Sequence, residues 1–214
     1  MNMVTLGNTG LKVSAISFGG IPIQRSDAAN TLAVVDELEK CGINFIDTAR
    51  GYTVSEEYLG AALKGRRDKF ILATKSMSRS REAMEKDIGI SLGNLQTDYI
   101  DLYQIHNLPL KDFDQVFGPD GAYEALAQAK AEGKIRHIGA TAHSLDALRL
   151  LVEEHAHQIE TVMFPYNIVE MQGHEVLALA REKGIGTIAM KPMAGGNLDD
   201  WNLALRFIAA SGVM

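Results

Sequence analysis

Short apolar runs and amphipathic helical patterns alternate along most of the chain. The apolar runs predict strands, and apolar residues spaced three or four apart predict the helices between them. Such alternation favours a parallel sheet covered by helices. The strands are predicted at about residues 15–18, 44–47, 70–74, 99–105, 137–141, 161–164 and 186–190, and the helices near residues 27–40, 56–64, 81–95, 121–132, 145–155, 174–183 and 199–210.

Several joints between a helix and the next strand share one pattern, in which Lys and Gly end the helix and an apolar strand follows. The segments "ELEKCGINFID", "AKAEGKIRHIGA" and "AREKGIGTIAM" show it. Glycine can adopt the positive φ that stops a helix, and a β-branched run prefers a buried strand. No linker or low-complexity segment separates the units, so residues 1–214 are predicted to form a single domain. Before them, "VTLGNTGLKVSAI" predicts a small hairpin around Asn8, Thr9 and Gly10.

Two parallel architectures fit this alternation, an open doubly wound sheet and a closed barrel. A dinucleotide-binding open sheet carries G-x-G-x-x-G after its first strand, whereas this chain has "SFGGIPIQR" there, and no strand is followed by that fingerprint or by a P-loop. A (β/α)₈ barrel needs eight units, with function on the loops after the strand ends. Only seven and a half units are present, so the residues alone leave the choice open.

The end of the chain bears on the same choice. In "LRFIAASGVM", Gly212 resembles a helix stop, and Val213 and Met214 resemble the start of an eighth strand. We therefore expect the eighth β/α unit to be missing and the sequence to be a fragment or ordered portion of a longer protein. An intact mass of 23.3 kDa would contradict this expectation.

Composition and charge exclude several classes of protein. With 46% hydrophobic and 22% charged residues, the chain is typical of globular domains, and its net charge of −6, with scattered basic residues, disfavours nucleic-acid or anionic membrane partners. No run reaches about 18 apolar residues, and the N-terminus lacks the pattern of a signal peptide. The single cysteine, Cys41, excludes an intramolecular disulfide and is predicted to be buried. We predict a cytoplasmic protein; the oligomeric state is not indicated.

Four polar residues follow consecutive predicted strands. Asp47 and Tyr52 come after the second strand, Lys75 after the third and His106 after the fourth. Adjacent parallel strands lie about 5 Å apart, so residues at equivalent heights converge on one pocket. The sequence therefore predicts a carboxylate, a phenol, an ammonium and an imidazole in one site.

The chemistry of these groups is complementary. A tyrosine with a reference pKa of about 10 is a poor proton donor at neutral pH, whereas a neighbouring cation favours the phenolate. Lys75 is expected to supply that cation, and Asp47 is expected to keep the buried ammonium charged. His106 can donate a hydrogen bond that orients a substrate oxygen. A positioned acid of this kind contributes about 10²–10⁴ in rate.

These residues lie in segments that resemble the aldo-keto reductases in order and spacing. The segments are "FIDTARGYTVSEEYLG", "ILATK", "DYIDLYQIHN", "GKIRHIGATAHS" and "AMKPMAGG", and the opening "TLGNTGLKVSAISFGGIPIQR" agrees. The resemblance covers essentially the whole chain and implies a (β/α)₈ TIM barrel that uses NADPH or NADH without a Rossmann domain. It implies hydride transfer to a small-molecule aldehyde or ketone, with Tyr52 as general acid, Lys75 and Asp47 as its tuning pair and His106 as the orienting group.

The resemblance also implies cofactor contacts on the loops after the strands. Relatives commonly have Asn and Gln where this chain has Ala142 and Met163, and many stack an aromatic residue where it has Met190. The branch most similar in "GGIPIQR", "FPYNIVE" and "MKPMAGG" often carries an iron-sulfur motif after the barrel, which is expected here only in a missing C-terminal segment. The predicted cofactor-binding residues are Gly20, Asp47, Thr141, Met190, Lys191, Pro192, Met193 and Gly195.

Two other functions stay open at this point. The loss of carboxamide ligands at Ala142 and Met163 fits a non-catalytic, nicotinamide-binding regulatory barrel, and a scaffold that binds no cofactor is the third possibility. No metal site is predicted, because His155 and His157 are two residues apart near a helix end and point in different directions.

The segment "TVSEE" has a structural interpretation. Its spacing predicts a capping box that opens the second helix, with Thr53 as the cap and Glu56 reaching back to it. The sequence therefore assigns Glu56 to the scaffold.

Overall fold

The computed structural model describes residues 1–213, which form a seven-stranded parallel sheet, helices and an N-terminal hairpin. The strands of the sheet pair in the order in which they occur in the chain, which is the connectivity of a (β/α)₈ barrel. The predicted fold class is thus confirmed, as a curled part of that barrel with the strands at residues 18–19 and 186–190 at its two edges. The sheet strands are β3 (Phe18–Gly19), β4 (Phe45–Asp47), β5 (Ile71–Ser76), β6 (Ile100–Ile105), β7 (Ile135–Thr141), β8 (Thr161–Pro165) and β9 (Gly186–Met190).

Helices connect successive strands and cover the outer face of the sheet. The side chains of Asp27, Ser80 and Ser144 cap α1, α3 and α6, since each accepts a backbone hydrogen bond from the first turn of its helix. The short α4 was not predicted. The helices are α1 (Ala28–Cys41), α2 (Ser55–Ala62), α3 (Arg81–Leu95), α4 (Phe113–Phe117), α5 (Ala122–Ala131), α6 (Leu145–Glu153), α7 (His174–Glu182) and α8 (Trp201–Ala210).

The sheet separates two apolar cores because side chains alternate between its faces. The larger core lies between the outer face and the helices and includes Leu59, Leu72 and Leu126. The smaller core fills the inside of the curled sheet toward the amino ends of the strands. Its buried members are Leu6, Val13, Phe45, Ala73, Leu102, Met163 and Ile188.

The N-terminal hairpin supplies two members of the inner core. Strands β1 (Met3–Thr5) and β2 (Lys12–Ser14) pair antiparallel, as predicted. Leu6 can approach the sheet because position 186 is a glycine: a Cβ there would lie 2.7 Å from Leu6 Cγ. The hairpin therefore covers the amino end of the sheet, so a ligand can approach the inside of the sheet from the carboxyl end.

The first strand of the sheet is shorter than predicted. Residues 15–18 were expected to be extended, but pairing begins only at Phe18. The hydroxyl of Ser14 donates to the carbonyl oxygen of Ile16 at 2.7 Å, and this local hydrogen bond bends the chain before the strand starts.

Two smaller expectations concern the helix surface and the chain end. Cys41 was predicted to be buried, but it is exposed, because it lies on the solvent side of the last turn of α1.

Val213 and Met214 were predicted to start an eighth strand. Val213 is buried, and its carbonyl oxygen accepts a hydrogen bond from Thr187 Oγ1 at 2.7 Å, whereas Met214 lies outside the described residues. None of the helices between residues 1 and 213 combines the length and the apolar character needed to cross a bilayer.

Candidate active site

The four residues singled out from the sequence lie together at the carboxyl ends of β4, β5 and β6. Asp47 is the last residue of β4, Lys75 is the next-to-last residue of β5, and His106 follows β6 directly. Tyr52 lies in the loop between β4 and α2. The strand register places Lys75 beside Gln104 and Asp47 beside Ala73.

Lys75 is the centre of this group. Its side chain is only 3% exposed, and its ammonium donates to Asp47 Oδ2 at 2.5 Å and to the carbonyl oxygen of Thr48 at 2.8 Å. An ammonium has three N–H donors, so one donor remains beyond these two partners. Its Nζ lies 5.0 Å from the centroid of the Tyr52 ring, within the range of a cation–π contact.

Tyr52 and His106 stand on the open side of Lys75. Their ring centroids are 6.0 Å apart, and the ring planes are nearly perpendicular at 87°. Both side chains are partly exposed, whereas Asp47 and Lys75 are buried. The structure therefore forms a buried ion pair with a phenol and an imidazole at its solvent side.

Gln104 is a member of the site that the sequence analysis missed. Its Nε2 donates to Asp47 Oδ1 at 2.9 Å, so both oxygens of this carboxylate have a donor. Its own Oε1 is buried without a partner among the described residues. The signal was present in "DLYQIH", where Gln104 lies two residues before His106 and therefore faces the same side of β6.

His106 is neutral over the physiological pH range. Burial, followed by the nearby charges of Lys75, His143 and Arg79, lowers its pKa from 6.5 to about 4. Its Nδ1 is buried without a partner in the part of the chain that the structure describes. A neutral imidazole can donate one hydrogen bond and accept another, which suits the orientation of a carbonyl oxygen.

Arg79, in the loop after β5, fixes the backbone around His106. Its Nη2 donates to the carbonyl oxygens of His106 at 3.0 Å and Asn107 at 2.8 Å, and its Nε donates to Asp112 Oδ2 at 2.9 Å. Asn107 has a positive φ of 47°, a left-handed conformation that Asn adopts more readily than most residues with a side chain. Arg79 therefore holds the turn that follows the imidazole.

The predicted cofactor residues lie at the same carboxyl ends, in three groups. Gly20 follows β3, Asp47 ends β4, Thr141 ends β7, and the others lie at the end of β9 or in the loop after it. The β9 loop has an unusual backbone, with positive φ at Lys191 and at Gly195. The predicted residues here are Met190, the last residue of β9, and Lys191, Pro192, Met193 and Gly195 of the loop. Their contact with a cofactor stays a prediction.

Gly20 and Thr141 already have structural partners. The amide of Gly20 donates to the carbonyl oxygen of Asp47 at 2.7 Å, and a Cβ at position 20 would lie 3.0 Å from Ser55 Oγ. The hydroxyl of Thr141 accepts from the amide of Asn107 at 2.7 Å, so it supports the His106 turn from the side of β7.

The two positions where relatives commonly have amides are apolar and buried. Ala142 follows β7, and Met163 lies in the inner core on β8. Neither side chain can donate a strong hydrogen bond to a carboxamide. Among the described residues, buried polar atoms without hydrogen-bond partners at this end lie on Arg50, Arg79, Gln104 and His106, and those on Gln104 and His106 can serve a polar ligand.

His155, which lies outside the site, has local partners. His155 Nδ1 pairs with Gln158 Oε1 at 2.7 Å and its ring stacks on Phe117, so it does not share a ligand with His157. His143 is exposed at the rim, where burial and Lys191 lower its pKa. Among residues 1–213, no three side chains of the metal-ligating types lie close enough to hold an ion.

The predicted capping box does not form. Helix α2 begins at Ser55 with no side-chain cap, and Thr53 lies in a turn with a φ of 41°. Glu56 is fully buried, and its carboxylate accepts hydrogen bonds from β5 and α3. The interpretation was wrong because the pattern records only local spacing, whereas the partners of Glu56 come from other elements.

Comparison with known proteins agrees with the arrangement of strands and site. Residues 15–206 match the model of the aldo/keto reductase family. The chain is 34% identical over 216 residues to L-galactose dehydrogenase of Arabidopsis thaliana and 31% identical over 222 residues to NADH-specific methylglyoxal reductase of Escherichia coli, in both cases covering 91% of this chain and 66% of the relative.

A solved structure gives the same result. Aldo-keto reductase AKR11C1 of Bacillus halodurans, in its holo form, superposes with a TM-score of 0.82 at 32% identity and covers 94% of this chain and 69% of its own. The chain thus spans slightly less than two thirds of the length of the curated relatives given above. On the match to residues 15–206, the identities and the shared fold, the chain belongs to the aldo/keto reductase family.

Proposed function

We propose that the protein reduces an aldehyde or ketone with NADPH or NADH and that Tyr52 is the general acid. The observation that carries the proposal is the buried Lys75–Asp47 ion pair, whose Nζ lies 5.0 Å from the centroid of the Tyr52 ring. The family, and relatives named as a dehydrogenase and a methylglyoxal reductase, support the same class of reaction.

Each side chain has a defined task in this reaction. When bound, the nicotinamide supplies the hydride for the carbonyl carbon. Tyr52 donates its proton to the carbonyl oxygen, and negative charge develops on the phenol oxygen as the proton leaves. The third N–H of Lys75 and the ammonium charge stabilise that oxygen, while Asp47, which accepts a hydrogen bond from Gln104, holds the ammonium in place. Neutral His106 orients the carbonyl by a hydrogen bond.

Replacement of Tyr52 by Phe tests the proposal because it removes only the hydroxyl. We expect turnover to fall by about 10²–10⁴ across a panel that includes methylglyoxal and an aromatic aldehyde, measured as loss of reduced nicotinamide absorbance. Cofactor binding, followed by quenching of protein fluorescence, and the thermal unfolding midpoint should stay near those of the wild type. Tyr58→Phe, on the outer helix α2, is the matched control. Full turnover by Tyr52→Phe would contradict the proposal.

A non-catalytic, nicotinamide-binding barrel is the second candidate. Ala142 and Met163 favour it, because these buried positions offer no donor to the nicotinamide carboxamide. Measurements of cofactor binding and turnover on the wild-type protein distinguish the two functions. Fluorescence quenching by NADPH or NADH with no reduction of any aldehyde or ketone in the panel would favour this second function.

A further inference from the structure

Glu56 is a fully buried carboxylate on the outer side of the sheet. Its Oε1 accepts from Thr74 Oγ1 at 2.8 Å and Ser91 Oγ at 2.7 Å. Its Oε2 accepts from Asn94 Nδ2 at 3.2 Å and Arg50 Nη1 at 3.3 Å. A buried carboxylate is costly unless donors surround it, and four donors from three parts of the chain do so here.

Two of these donors belong to segments that carry the candidate active site. Thr74 directly precedes Lys75 on β5, so its side chain points to the opposite face of the sheet. Arg50 lies two residues before Tyr52, and its amide also donates to the carbonyl oxygen of Lys75 at 2.9 Å. One carboxylate behind the sheet thus connects the strand of the ammonium with the loop of the phenol.

The loop around Tyr52 needs such an anchor. Tyr52 lies within a tight turn, in which its amide donates to the carbonyl oxygen of Ala49 at 2.9 Å and its own carbonyl oxygen accepts from Ser55 at 2.8 Å. Thr53 adopts a φ of 41°, a strained value for a residue with a side chain. A strained turn keeps its shape only when contacts from outside impose it, and Arg50 provides one through Glu56.

We propose that Glu56 is a positioning residue for the proton transfer, acting through Arg50 on Tyr52 and through Thr74 on Lys75. The proposal rests on the function assigned above. Glu56 sets the separation of phenol and ammonium without contacting substrate or cofactor. Because a displacement of about 1 Å can cost about 100-fold in rate, loss of this anchor should lower kcat more than it changes KM.

Glu56→Gln, Arg50→Met and the double variant test the proposal in the full chain. The side chain of Gln has one acceptor oxygen and an NH₂ group in place of the second, so it loses either the hydrogen bond from Arg50 or those from Thr74 and Ser91. We expect each single variant to lower kcat by roughly 10- to 100-fold with an aldehyde that the wild type reduces, with KM for that aldehyde and quenching by the cofactor nearly unchanged. The double variant should lose less than the product of the two single losses, because both changes remove contacts of the same carboxylate.

Asp101→Asn is the matched control, because Asp101 is another buried carboxylate bound to arginines, at the amino end of the sheet. It should lose stability and keep wild-type kcat. Wild-type kcat in Glu56→Gln and Arg50→Met, or losses that add in the double variant, would overturn the positioning role.

Failure of the positioning role of Glu56 can be distinguished from failure of the proposed function. If Tyr52→Phe retains turnover, the proposed function fails, and the role of Glu56 fails with it. If Tyr52→Phe is inactive while Arg50→Met has wild-type kcat, only the positioning role fails. Should Glu56→Gln not fold, Arg50→Met decides alone, because its side chain is 28% exposed and its loss leaves Glu56 with three donors.

Discussion

The ion pair at the carboxyl ends of the strands and the charge cluster at their amino ends satisfy their charges differently. At the amino end, Asp101 accepts from Arg67 Nη2 at 2.7 Å, from the amide of Leu72 at 3.0 Å and from Arg136 Nη1 at 3.2 Å. The two guanidinium groups also contact the Tyr99 ring, at 4.5 and 3.8 Å from its centroid. Every oxygen of this carboxylate is occupied, and the cluster joins three strands.

At the carboxyl end, by contrast, some donors and acceptors have no hydrogen-bond partner among the described residues. Lys75 has two acceptors for three donors, and Gln104 Oε1 and His106 Nδ1 are buried without partners among the described residues. Burying polar atoms without partners costs stability, so such atoms persist where a ligand can complete them. The comparison teaches that the saturated cluster around Asp101 serves the structure, whereas the atoms left without partners beside Lys75 mark the candidate site.

The largest expected effect comes from removing the ammonium at the carboxyl end. Lys75→Met should lower turnover by about 10²–10⁴, because the developing charge on Tyr52 loses its stabilising cation. It should also destabilise the fold, because Asp47 is left as a buried, unpaired charge with Gln104 as a donor.

The double variant Lys75→Met with Asp47→Asn separates the two effects. We expect it to regain part of the free energy of unfolding, measured in urea, and none of the turnover. Recovery of turnover along with stability would show that the ion pair matters only for folding.

The second effect concerns the amino end. Asp101→Asn should lower the free energy of unfolding by about 2–3 kcal/mol, because a charged partner of two arginines is lost from a buried position. Urea unfolding followed by circular dichroism measures this change. The kcat per folded molecule should stay near that of the wild type, and a clear loss of kcat would contradict the separation of the two ends.

The smallest effect is the pH dependence contributed by His106. Its pKa is lowered from 6.5 to about 4, chiefly by burial, so between these values the unfolded chain binds a proton that the folded chain does not. The free energy of unfolding contributed by this group therefore rises with pH across that window and is lost as the pH falls. Unfolding of the wild type and of His106→Gln across the window measures the contribution. Identical pH dependence in the two proteins would contradict it.

The order of the sheet could be predicted because its signals are local. Helix α3 coincides with the predicted range 81–95, since Ser80 caps its first turn, and the chain-order connectivity follows from the repeated joints. Asp47, Lys75 and His106 could be predicted as neighbours because parallel strands bring their carboxyl ends to one edge.

The features that could not be predicted depend on contacts between side chains and backbone that the spacing of residue types along the sequence does not indicate. Glu56 reaches Thr74 and Ser91, which are 18 and 35 residues away, so its burial follows from tertiary packing. Gln104 was overlooked because an amide within an apolar strand has no pattern of its own. The first strand was predicted too long because a single hydroxyl, that of Ser14, competes with strand pairing.

The enclosure of the Lys75–Asp47 pair has one more consequence. Mobile ions screen charges at the surface, such as Lys40 and Glu37, whose side chains are 70% and 63% exposed, but they scarcely reach a pair whose side chains are 3% and 12% exposed. The attraction between the two charges of the pair is therefore nearly independent of ionic strength. Changes in salinity around the protein act on its surface and on diffusing ligands, and leave this pair as it is.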